Sequence, residues 1–596
     1  MRKAETILSI ISKRGQRGLP VNDVYRSLYQ KELYLRAYGK LYSNNGAMTE
    51  GVTSETMDGM SLKKIDTIIN ALRYEKYRWK PVRRVYITKK QGKSRPLGLP
   101  TWSDKLLQEV IRSILEAYYE PQFSPSSHGF RPKRGCHTAL REVMQKGRGT
   151  KWFIEGDISA CFDKIDHTIL LDIIREKFQD NRFVNLISML LKAGYLEDWK
   201  FNTTLSGSAQ GSVTGPIFSN LVLDCLDKYV EQTLIPAYTR GKRRKKNLHY
   251  DKLIVQASKA RKTGDWKEAN VLSQQAQCLP STDPNDPNYR RLWYVRYADD
   301  FLLGLAGPKN EAIEIKHKVA QFLNNNLKLE LNADKTLITH ASSQKAKFLG
   351  YEVHILQEDS EHDHNGRRRI NGSIGLRVPN KVVQEKCKKY MKNGKPIHLH
   401  QCTIDDAYSI VSQYQAEYRG IVQYYRMAYN LHILNKLRYM TEVSLVKTLA
   451  SKYKTTCTKI YKKYSATIKT NDGTNRKVIL VKRDSKLGKP LITHFGGISL
   501  KWNKWANISE KPAGHIWSKR TELIERLEAQ ECELCGSQEE VEVHHIRKLA
   551  NLKQKGVTKV EWQQKMIARN RKTLIVCRKC HNNIHHGRYN GRKLSA

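Results

Sequence analysis

The spacing of apolar positions divides the chain into helical and strand-like stretches. Near the N-terminus, ILSIISK and IDTIINALRY carry apolar residues at helical spacing. From about residue 82 to 360, short apolar runs such as VRRVYI and WFIEGDI alternate with helical patterns such as DKLLQEVIRSILEAYY. This alternation predicts an α+β domain.

Three further stretches depart from that pattern. Residues 238–288 contain GKRRKKN, a polar helix-like piece and PSTDPNDPN, which predict a surface insertion. From about 375 to 465 the pattern is helical and basic, and from 466 to 525 it is rich in Lys and Gly with short strands. The last 70 residues hold most of the clustered Cys and His. The chain therefore contains several domains.

The composition indicates a folded protein with a polyanionic partner. Hydrophobic residues make up 39% of the 596 positions, enough to form cores. There are 105 Lys and Arg against 58 Asp and Glu, so the formal net charge is +47. Nucleic acid is favoured over a membrane surface, because much of this charge is interleaved with Tyr and Trp that can stack on bases.

Targeting signals and cysteine usage indicate an intracellular protein. No run reaches the roughly 18 apolar residues of a membrane span, and the apolar segment near the N-terminus is too short for a secretory signal. We expect the cytoplasm or nucleoid of a bacterium, with an organelle as the alternative. Of eleven cysteines, four form two C-x-x-C pairs, which in a reducing compartment indicate a metal site.

A pair of adjacent carboxylates lies between two apolar runs. Asp299 and Asp300 separate LWYVRYA from FLLGLA, and Asp157 ends the apolar run WFIEGD. Adjacent carboxylates raise each other's pKa and need a compensating cation. An ordinary exposed turn is the alternative for the pair alone. Three carboxylates at neighbouring strand ends predict a site for two Mg²⁺ ions, as in nucleotidyl transfer.

The order of motifs resembles that of the reverse transcriptases encoded by group II introns. The motifs are KKQGKSRPLGLPTWSDKLLQEVI, SSHGFRPKRGCHTAL, DISACFDKIDH, SGSAQGSVTGPIFSNLVLDCLD, RYADDFLLG, LELNADKTLITH and KFLGYEV. The resemblance extends from about residue 40 to 470 and is interrupted by the insertion. It implies an RNA-directed DNA polymerase.

The resemblance also implies roles for single residues of the polymerase. Asp157, Asp299 and Asp300 would hold the two Mg²⁺ ions. Contacts to the incoming dNTP and the new base pair are implied for Lys89, Arg95, Phe162, Gln210, Gly211 and Lys335. Within that set, Phe162 would exclude a 2′-hydroxyl. One departure is Ala209, where the family usually has Pro before the Gln.

The basic helical stretch resembles the thumb and maturase region of the same family, on the strength of RGI followed by YY in EYRGIVQYYRMAYN. The resemblance implies binding to the intron RNA and help in its splicing. Candidate RNA contacts are Arg419, Tyr424, Tyr425 and Lys447. The alternative is an amphipathic bundle whose tyrosines belong to the core. Residues 466–525 are predicted to bind DNA from their charge and position.

The stretch from Cys532 to His585 combines two cysteine knuckles with four histidines. Four thiolates suit a structural Zn²⁺ ion, and the candidate ligands are Cys532, Cys535, Cys577 and Cys580. A zinc ribbon alone does not account for the histidines. The arrangement resembles the HNH nuclease motif, which implies His545 as general base and a divalent cation held by His544, His581 and His585. Lys572 stands where many HNH proteins have Asn, and Asn570 lies two residues earlier.

Together these observations predict a multidomain α+β protein, with a right-hand polymerase (fingers and palm), a helical thumb, a basic DNA-binding segment and a ββα-metal HNH domain with zinc knuckles. The predicted regions are 1–80 (N-terminal extension and start of the fingers), 81–370 (reverse transcriptase fingers and palm), 371–465 (thumb and maturase domain), 466–525 (DNA-binding region) and 526–596 (HNH endonuclease).

The predicted function is reverse transcription for a mobile group II intron, with splicing assistance and nicking of target DNA. The expected partners are intron RNA in a ribonucleoprotein, target DNA and dNTPs, without a membrane. Two alternatives stay open at this point: a maturase with a vestigial polymerase, and an HNH homing endonuclease. The complete set of Asp157, Asp299 and Asp300 counts against the first, and Lys89, Arg95 and Phe162 count against the second.

Overall fold

The computed structural model describes residues 4–44, 46–88, 94–197, 200–202, 207, 211–362, 368–470, 473–483, 490–506, 522–546, 549–552, 559–569 and 571–589. Helices and strands alternate through most of these ranges. The α+β character predicted from the apolar spacing is therefore confirmed. None of the helices in the described ranges is long and apolar enough to cross a membrane.

The N-terminal region is helical, as the spacing in ILSIISK and IDTIINALRY predicts. Its elements are α1 (Ala4–Gln16), α2 (Lys31–Leu41), β1 (Met60–Ser61) and α3 (Leu62–Arg73). A 3₁₀ turn, Val24–Tyr29, precedes α2. The helix α3 begins where the Ser61 hydroxyl accepts a hydrogen bond from the Lys64 N–H.

The region predicted as fingers and palm, residues 81–370, follows. Its elements up to the insertion are β2 (Val82–Thr88), β3 (Ser94–Leu99), α4 (Trp102–Tyr119), β4 (Ser127–His128), α5 (Cys136–Lys146), β5 (Trp152–Asp157), α6 (Cys161–Lys164), α7 (His167–Lys177), α8 (Asn181–Leu191), β6 (Tyr195–Glu197), β7 (Lys200–Asn202) and α9 (Gly215–Tyr229). A four-stranded sheet in the order β3-β2-β6-β7 lies in the part of this region that is predicted as the fingers.

The insertion is a helical hairpin on the surface. After a π-helical turn, Val230–Leu234, and α10 (Ile235–Ala237), it comprises α11 (Leu248–Lys262) and α12 (Trp266–Gln277). Only alanines of these two helices are buried. At its base, the backbones of Arg240 and Arg290 exchange two hydrogen bonds of 3.1 and 3.0 Å. The predicted surface position is confirmed.

Six strands and one helix of the predicted palm follow the insertion. They are β8 (Arg291–Tyr297), β9 (Asp300–Ala306), α13 (Lys309–Leu327), β10 (Leu337–His340), β11 (Ala346–Phe348), β12 (Tyr351–His362) and β13 (Arg368–Arg377). The central sheet has the order β10-β5-β9-β8-β4, which places the apolar runs predicted as buried strands at its centre.

The basic stretch forms helices that pack on a small sheet. Its elements are α14 (Asn380–Lys388), β14 (Met391–Lys392), β15 (Lys395–Pro396), α15 (Ala407–Tyr424), α16 (Leu434–Lys452), α17 (Cys457–Tyr464), β16 (Ser465–Lys469), β17 (Asn475–Arg483) and β18 (Leu491–Gly496), with 3₁₀ turns at His400–Cys402 and Leu431–Ile433. Gln415 of α15 exchanges two hydrogen bonds of 3.0 Å with the backbone of Gly496. The strands after residue 465 thus pack against the thumb helices.

The C-terminal elements form a ββα unit. They are α18 (Glu522–Glu528), β19 (Val541–His545), α19 (Leu549–Leu552), α20 (Glu561–Ala568), β20 (Thr573–Cys577) and α21 (Arg578–His585). The strand β1, from the N-terminal region, adds a third strand to the β19–β20 pair. The side chains of Leu523, Ile524 and Val543 belong to the same hydrophobic core as the N-terminal helices.

Candidate polymerase and nuclease sites

A hairpin in the palm brings three carboxylates to one edge of the central sheet. The strands β5 and β9 are antiparallel, and their register places Asp157 directly opposite Asp300. Tyr297 pairs with Asp300 across the hairpin, so Ala298 and Asp299 form its two-residue turn. Asp157, Asp299 and Asp300, here called the palm cluster, therefore lie together at the strand ends, as the sequence predicts.

The turn of this hairpin has an unusual backbone. Ala298 has φ 55°, a left-handed conformation that normally favours Gly or Asn. Such a conformation costs a non-Gly residue on the order of 1 kcal/mol and persists only where the surroundings fix it. The Ala298 N–H donates to the carbonyl of His128 at 3.2 Å. This contact holds the turn against the neighbouring strand β4.

Two carboxyl groups of the palm cluster have raised pKa values. Burial, with smaller contributions from Asp299 and Asp157, raises the pKa of Asp300 to about 7. Burial also raises the pKa of Asp299. Lys335 partly offsets this charge, because its Nζ lies 3.0 and 2.9 Å from the two oxygens of Asp157. Crowded carboxylates of this kind are the oxygen donors that Mg²⁺ prefers, so the cluster fits divalent cations.

A buried ion pair that the sequence reasoning missed supports the turn. Arg296 donates from Nε and Nη2 to the two oxygens of Asp227 at 2.7 and 2.6 Å. Its Nη1 donates to the carbonyl of Ala298 at 2.8 Å. The signal in the sequence is an Arg within an otherwise apolar strand, two residues before the turn. Such a charge must be paired inside the fold.

Three of the other candidates for dNTP contact lie within the described residues. Arg95 is exposed on β3, and its positive charge partly offsets the rise that burial causes in the pKa of Asp299. Phe162 is half-buried on α6, with its ring 6.2 Å from that of Phe130. Gly211 has φ 105°, and a Cβ there would lie 2.6 Å from the carbonyl oxygen of Gly98 on β3. Lys89 and Gln210 lie outside the described residues.

Two of the RNA-contact candidates are engaged inside the protein. The hydroxyls of Tyr424 and Tyr425 donate to the carbonyls of Leu349 and Gly350 at 2.7 and 3.1 Å. Tyr425 is only 7% exposed. Both rings therefore pack the end of α15 on the palm, and their contact with RNA stays a prediction. The helical spacing alone could not separate these two roles.

The other two candidates differ in their surroundings. Arg419 is exposed on α15. Lys447 is half-buried, and its Nζ donates to the carbonyl of Pro396 at 2.8 Å. Arg419 is the one of the four that the structure leaves most accessible.

The four knuckle cysteines come together. The sulfurs of Cys532, Cys535, Cys577 and Cys580, here called the cysteine cluster, all lie within 4.8 Å of one another. The backbone N–H of Cys535 donates to the sulfur of Cys532 at 3.4 Å. Four thiols around one point form the donor set of a structural zinc site.

The two adjacent histidines of β19 face opposite sides of the strand. His544 faces α21, where its ring lies 5.0 Å from that of His581 and 5.4 Å from that of His585. These three residues are here called the histidine cluster. His545 faces the N-terminal region instead, with its Nε2 2.6 Å from the Tyr38 hydroxyl. The structure therefore separates the predicted general base from the predicted metal ligands.

The histidine cluster fits a metal ion. Both ring nitrogens of His544 are buried without a hydrogen-bond partner among the described residues. The Nε2 atoms of His581 and His585 lie 3.0 Å apart. Glu542, two residues before His544, fixes the ring of His581 by a contact of 2.6 Å to Nδ1. A carboxylate that orients a ligating His in this way is common at metal sites.

A fourth residue, which is acidic, joins the three histidines from a distant part of the chain. The carboxylate of Asp58 lies 3.2 Å from His581 Nε2 and 2.8 Å from His585 Nε2. The sequence reasoning missed Asp58, because 486 positions separate it from His544 and no motif includes it. Glu542 could have been found, since alternate residues of a strand share a face.

Burial and hydrogen bonds to carboxylates set the pKa values of the three buried histidines. Burial lowers the pKa of His544 to about 3 and that of His545 to about 4. Burial also opposes the charged form of His581, but hydrogen bonds to Asp58 and Glu542 outweigh it and raise the pKa to about 9. His545 is therefore neutral near pH 7, the form that a general base requires.

Comparison with known proteins identifies three domain families along the chain. Residues 87–353 match the reverse transcriptase (RNA-dependent DNA polymerase) family, residues 378–502 the type II intron maturase family, and residues 532–581 an AI2M/AI1M-like HNH endonuclease family. The chain is 37% identical to the group II intron-encoded protein LtrA of Lactococcus lactis subsp. cremoris, over 98% of this chain and 100% of that protein. The chain belongs to the group II intron-encoded proteins.

Two further relatives are fungal. The chain is 33% identical to an uncharacterized 91 kDa protein in a cob intron of Schizosaccharomyces pombe, over 97% of this chain and 72% of that one. It is 32% identical to a putative COX1/OXI3 intron 1 protein of Saccharomyces cerevisiae, over 95% and 69%. The resemblance inferred from the motifs is confirmed: this is a group II intron-encoded reverse transcriptase with maturase and HNH endonuclease domains.

Proposed function

We propose that this protein copies its intron RNA into DNA from a 3′-hydroxyl that its own HNH domain creates by nicking target DNA. The proposal assigns polymerisation to residues 81–370, intron RNA binding to 371–465, DNA binding to 466–525 and nicking to 526–596. Residues 1–80 extend the fingers. The observation that carries it is the direct pairing of Asp157 with Asp300, with Asp299 at the adjoining turn.

The palm cluster supplies the ligands for catalysis. Two Mg²⁺ ions held by Asp157, Asp299 and Asp300 would activate the primer 3′-hydroxyl and stabilise the departing pyrophosphate. Lys335, in contact with Asp157, is placed to move onto a phosphate of the incoming dNTP once a cation takes over that carboxylate. The buried pair of Arg296 and Asp227 keeps the turn in position.

Residues around the palm cluster select the nucleotide. Arg95 and Lys89 contact the triphosphate, for which a guanidinium and an ammonium are suited. The ring of Phe162 excludes a 2′-hydroxyl and so selects dNTPs. Gln210 and Gly211 line the nascent base pair. Gly211 supports this assignment, since its lack of a side chain lets the loop approach β3 closely.

The HNH domain carries out the nicking step. His545 accepts the proton of the attacking water, and its neutral state near pH 7 supports that role. A divalent cation held by His544, His581 and His585 would stabilise the charge on the scissile phosphate. The cysteine cluster holds Zn²⁺, which fixes the two strands and the helix of this small domain.

Binding of the intron RNA is assigned to the thumb, with Arg419 as the leading contact. The net charge of +47 supports a large polyanionic partner, since cationic surfaces lower phosphate repulsion as RNA folds. Lys447 contributes charge near the same helices, whereas Tyr424 and Tyr425 hold the thumb on the palm. Splicing assistance of this kind needs no catalytic group in the protein.

Primer extension on an RNA template with dNTPs and Mg²⁺ tests the polymerase. We expect strong cDNA synthesis by the wild type, a loss of at least about 10³-fold in Asp299→Ala/Asp300→Ala, and unchanged synthesis in the surface control Asp172→Ala. A folded wild type that makes no cDNA, with or without intron RNA, would favour the maturase alternative. Nicking of double-stranded target DNA, compared between wild type and His545→Ala, tests the nuclease.

A further inference from the structure

The N-terminal region is built into the nuclease site. The strand β1 pairs with β19 in the register Met60 with Val543 and Ser61 with Glu542. The N–H of Gly59 donates to the carbonyl of Val543 at 3.0 Å. This pairing places Asp58, the residue before Gly59, over the end of β19. The position of Asp58 is therefore fixed by backbone hydrogen bonds.

Both oxygens of Asp58 face the histidine cluster. Oδ1 lies 3.2 Å from His581 Nε2 and 3.6 Å from His544 Nδ1, and Oδ2 lies 2.8 Å from His585 Nε2. The N–H of His545 donates to Oδ1 at 2.6 Å. The ligand atoms of Asp58, His544, His581 and His585 all lie within 4.8 Å of one another. One ion can therefore reach all four residues.

The chemistry of these four residues is that of a divalent cation site. Three imidazoles and one carboxylate form a common donor set for zinc and similar metals. The unpartnered nitrogens of buried His544 are unfavourable without an ion, since a buried polar atom needs a partner. The carboxylate also neutralises one positive charge of the ion. Asp58 thus supplies a fourth ligand, whereas the HNH segment alone supplies three.

The same docking removes the general base from solvent. His545 is 4% exposed, and its Nε2 contacts the hydroxyl of Tyr38, which is fully buried. A base in this position cannot reach water at a phosphodiester. Metal sites with four protein ligands are characteristically closed, whereas catalytic sites keep a position open for substrate. Both features indicate a nuclease that is shut by the N-terminal region.

We propose that Asp58 is the fourth protein ligand of the HNH metal ion, so that the ion joins the N-terminal region to the HNH domain and holds the nuclease closed. The closed state of the nuclease rests on the proposed nicking function, whereas the assignment of Asp58 as a ligand does not. Cleavage then requires Asp58 to leave the ion and Tyr38 to release His545, which frees a position for a phosphate oxygen. The N-terminal region acts as an intramolecular competitor of DNA.

Binding of Co²⁺ to the metal-free full-length chain tests the ligand assignment without any activity measurement. Asp58→Asn keeps the size of the side chain and an oxygen for the His545 N–H, but it removes the charge. We expect its affinity for Co²⁺ at the histidine cluster to fall about 10-fold or more, with altered d–d absorption. The thiolate-to-cobalt band of the cysteine cluster serves as an internal control, and Asp66→Asn, an exposed residue paired with Lys31, as the matched variant.

Nicking at saturating Mg²⁺ tests the closed state. We expect the ribonucleoprotein containing Asp58→Asn, and to a smaller extent Tyr38→Phe, to nick faster than wild type. Unchanged Co²⁺ affinity in Asp58→Asn would overturn the ligand assignment. Reduced affinity together with lost nicking at saturating metal would overturn the closed state, since Asp58 would then belong to the working site. If wild type itself never nicks, the nuclease function fails, while the Co²⁺ measurement still decides on Asp58.

Discussion

Arg296 and Asp227 form an ion pair in which neither side chain is exposed to solvent. The pair lies beneath the turn that presents Asp299, and Arg296 also donates to the carbonyl of Ala298 within that turn. It joins the helix α9 to the hairpin of the palm. The position of the palm cluster therefore depends on a buried ion pair beneath the turn.

Replacement of Asp227 by Ala should destabilise the palm strongly. It leaves the guanidinium of Arg296 buried and unpaired, which costs about 3–5 kcal/mol. The matched change Glu314→Ala breaks an exposed pair with Lys318 and should lower the melting temperature far less, because water screens exposed charges. Thermal denaturation of both variants measures the difference. Equal shifts in the two melting temperatures would show that the buried pair does not support the palm.

Replacement of Phe162 by Ala should weaken discrimination against ribonucleotides. If the ring excludes a 2′-hydroxyl, its removal should raise incorporation of rNTPs relative to dNTPs by about 10- to 100-fold, the range that a steric pocket contributes. Primer extension with each nucleotide set measures the ratio. Phe130→Ala is the matched control, because that ring contacts Phe162 but is itself 56% exposed. An unchanged ratio in Phe162→Ala would contradict the assignment.

The palm cluster shows which parts of a site a sequence can predict. Asp157 ends one apolar run and Asp300 begins another, and strands of that length and composition pair with their ends together. The cysteine knuckles are similarly local, since each C-x-x-C places two sulfurs close together by itself. The adjacent carboxylates Asp299 and Asp300 and each knuckle therefore follow from neighbours in the chain, whereas Asp157, 143 positions before Asp300, joins them because it also stands at the end of an apolar strand.

Removal of the structural zinc should abolish nicking before it affects polymerisation. Three of the four cysteines belong to a small core within the HNH unit, whereas the strands of the palm pack in the two larger cores. We expect a zinc-selective chelator, or Cys577→Ser, to remove nicking while primer extension in Mg²⁺ is largely kept. Cys278→Ser, at an exposed position of the insertion, is the control. Loss of both activities together would mean that the HNH unit also supports the polymerase.

The contacts that sequence reasoning missed are those between distant segments. Asp58 reaches the histidine cluster only because β1 pairs with β19, and no periodicity near Asp58 predicts a two-residue strand. Tyr425 makes a second contact of this kind. Its helical spacing was compatible with an RNA-binding face, yet its hydroxyl contacts Gly350 in the palm. Tertiary pairing decides such cases, and a single sequence does not contain the partner's position.

The contact between His354 and Tyr429 should make the junction of palm and thumb sensitive to acid. Their rings are 5.7 Å apart, and the Tyr429 hydroxyl lies 3.2 Å from His354 Nε2. Burial, followed by the charges of Arg377 and Lys345, lowers the pKa of His354 to about 4. The unfolded chain binds this proton already near pH 6.5. Acid therefore favours the unfolded state between these two values.

The lowered pKa of His354 should thus leave the free energy of unfolding unchanged at neutral pH. It should decrease that free energy increasingly as the pH falls from about 6.5 to about 4, by about 1–2 kcal/mol near pH 5. We expect His354→Gln, which cannot titrate, to lose less stability than wild type over that interval. Amide hydrogen exchange of β12 and of residues 425–433 at about pH 7.5 and pH 5, corrected for intrinsic rates, measures the effect locally. The exposed His432→Gln provides the control. If wild type and His354→Gln respond equally to pH, another group carries the acid sensitivity of this junction.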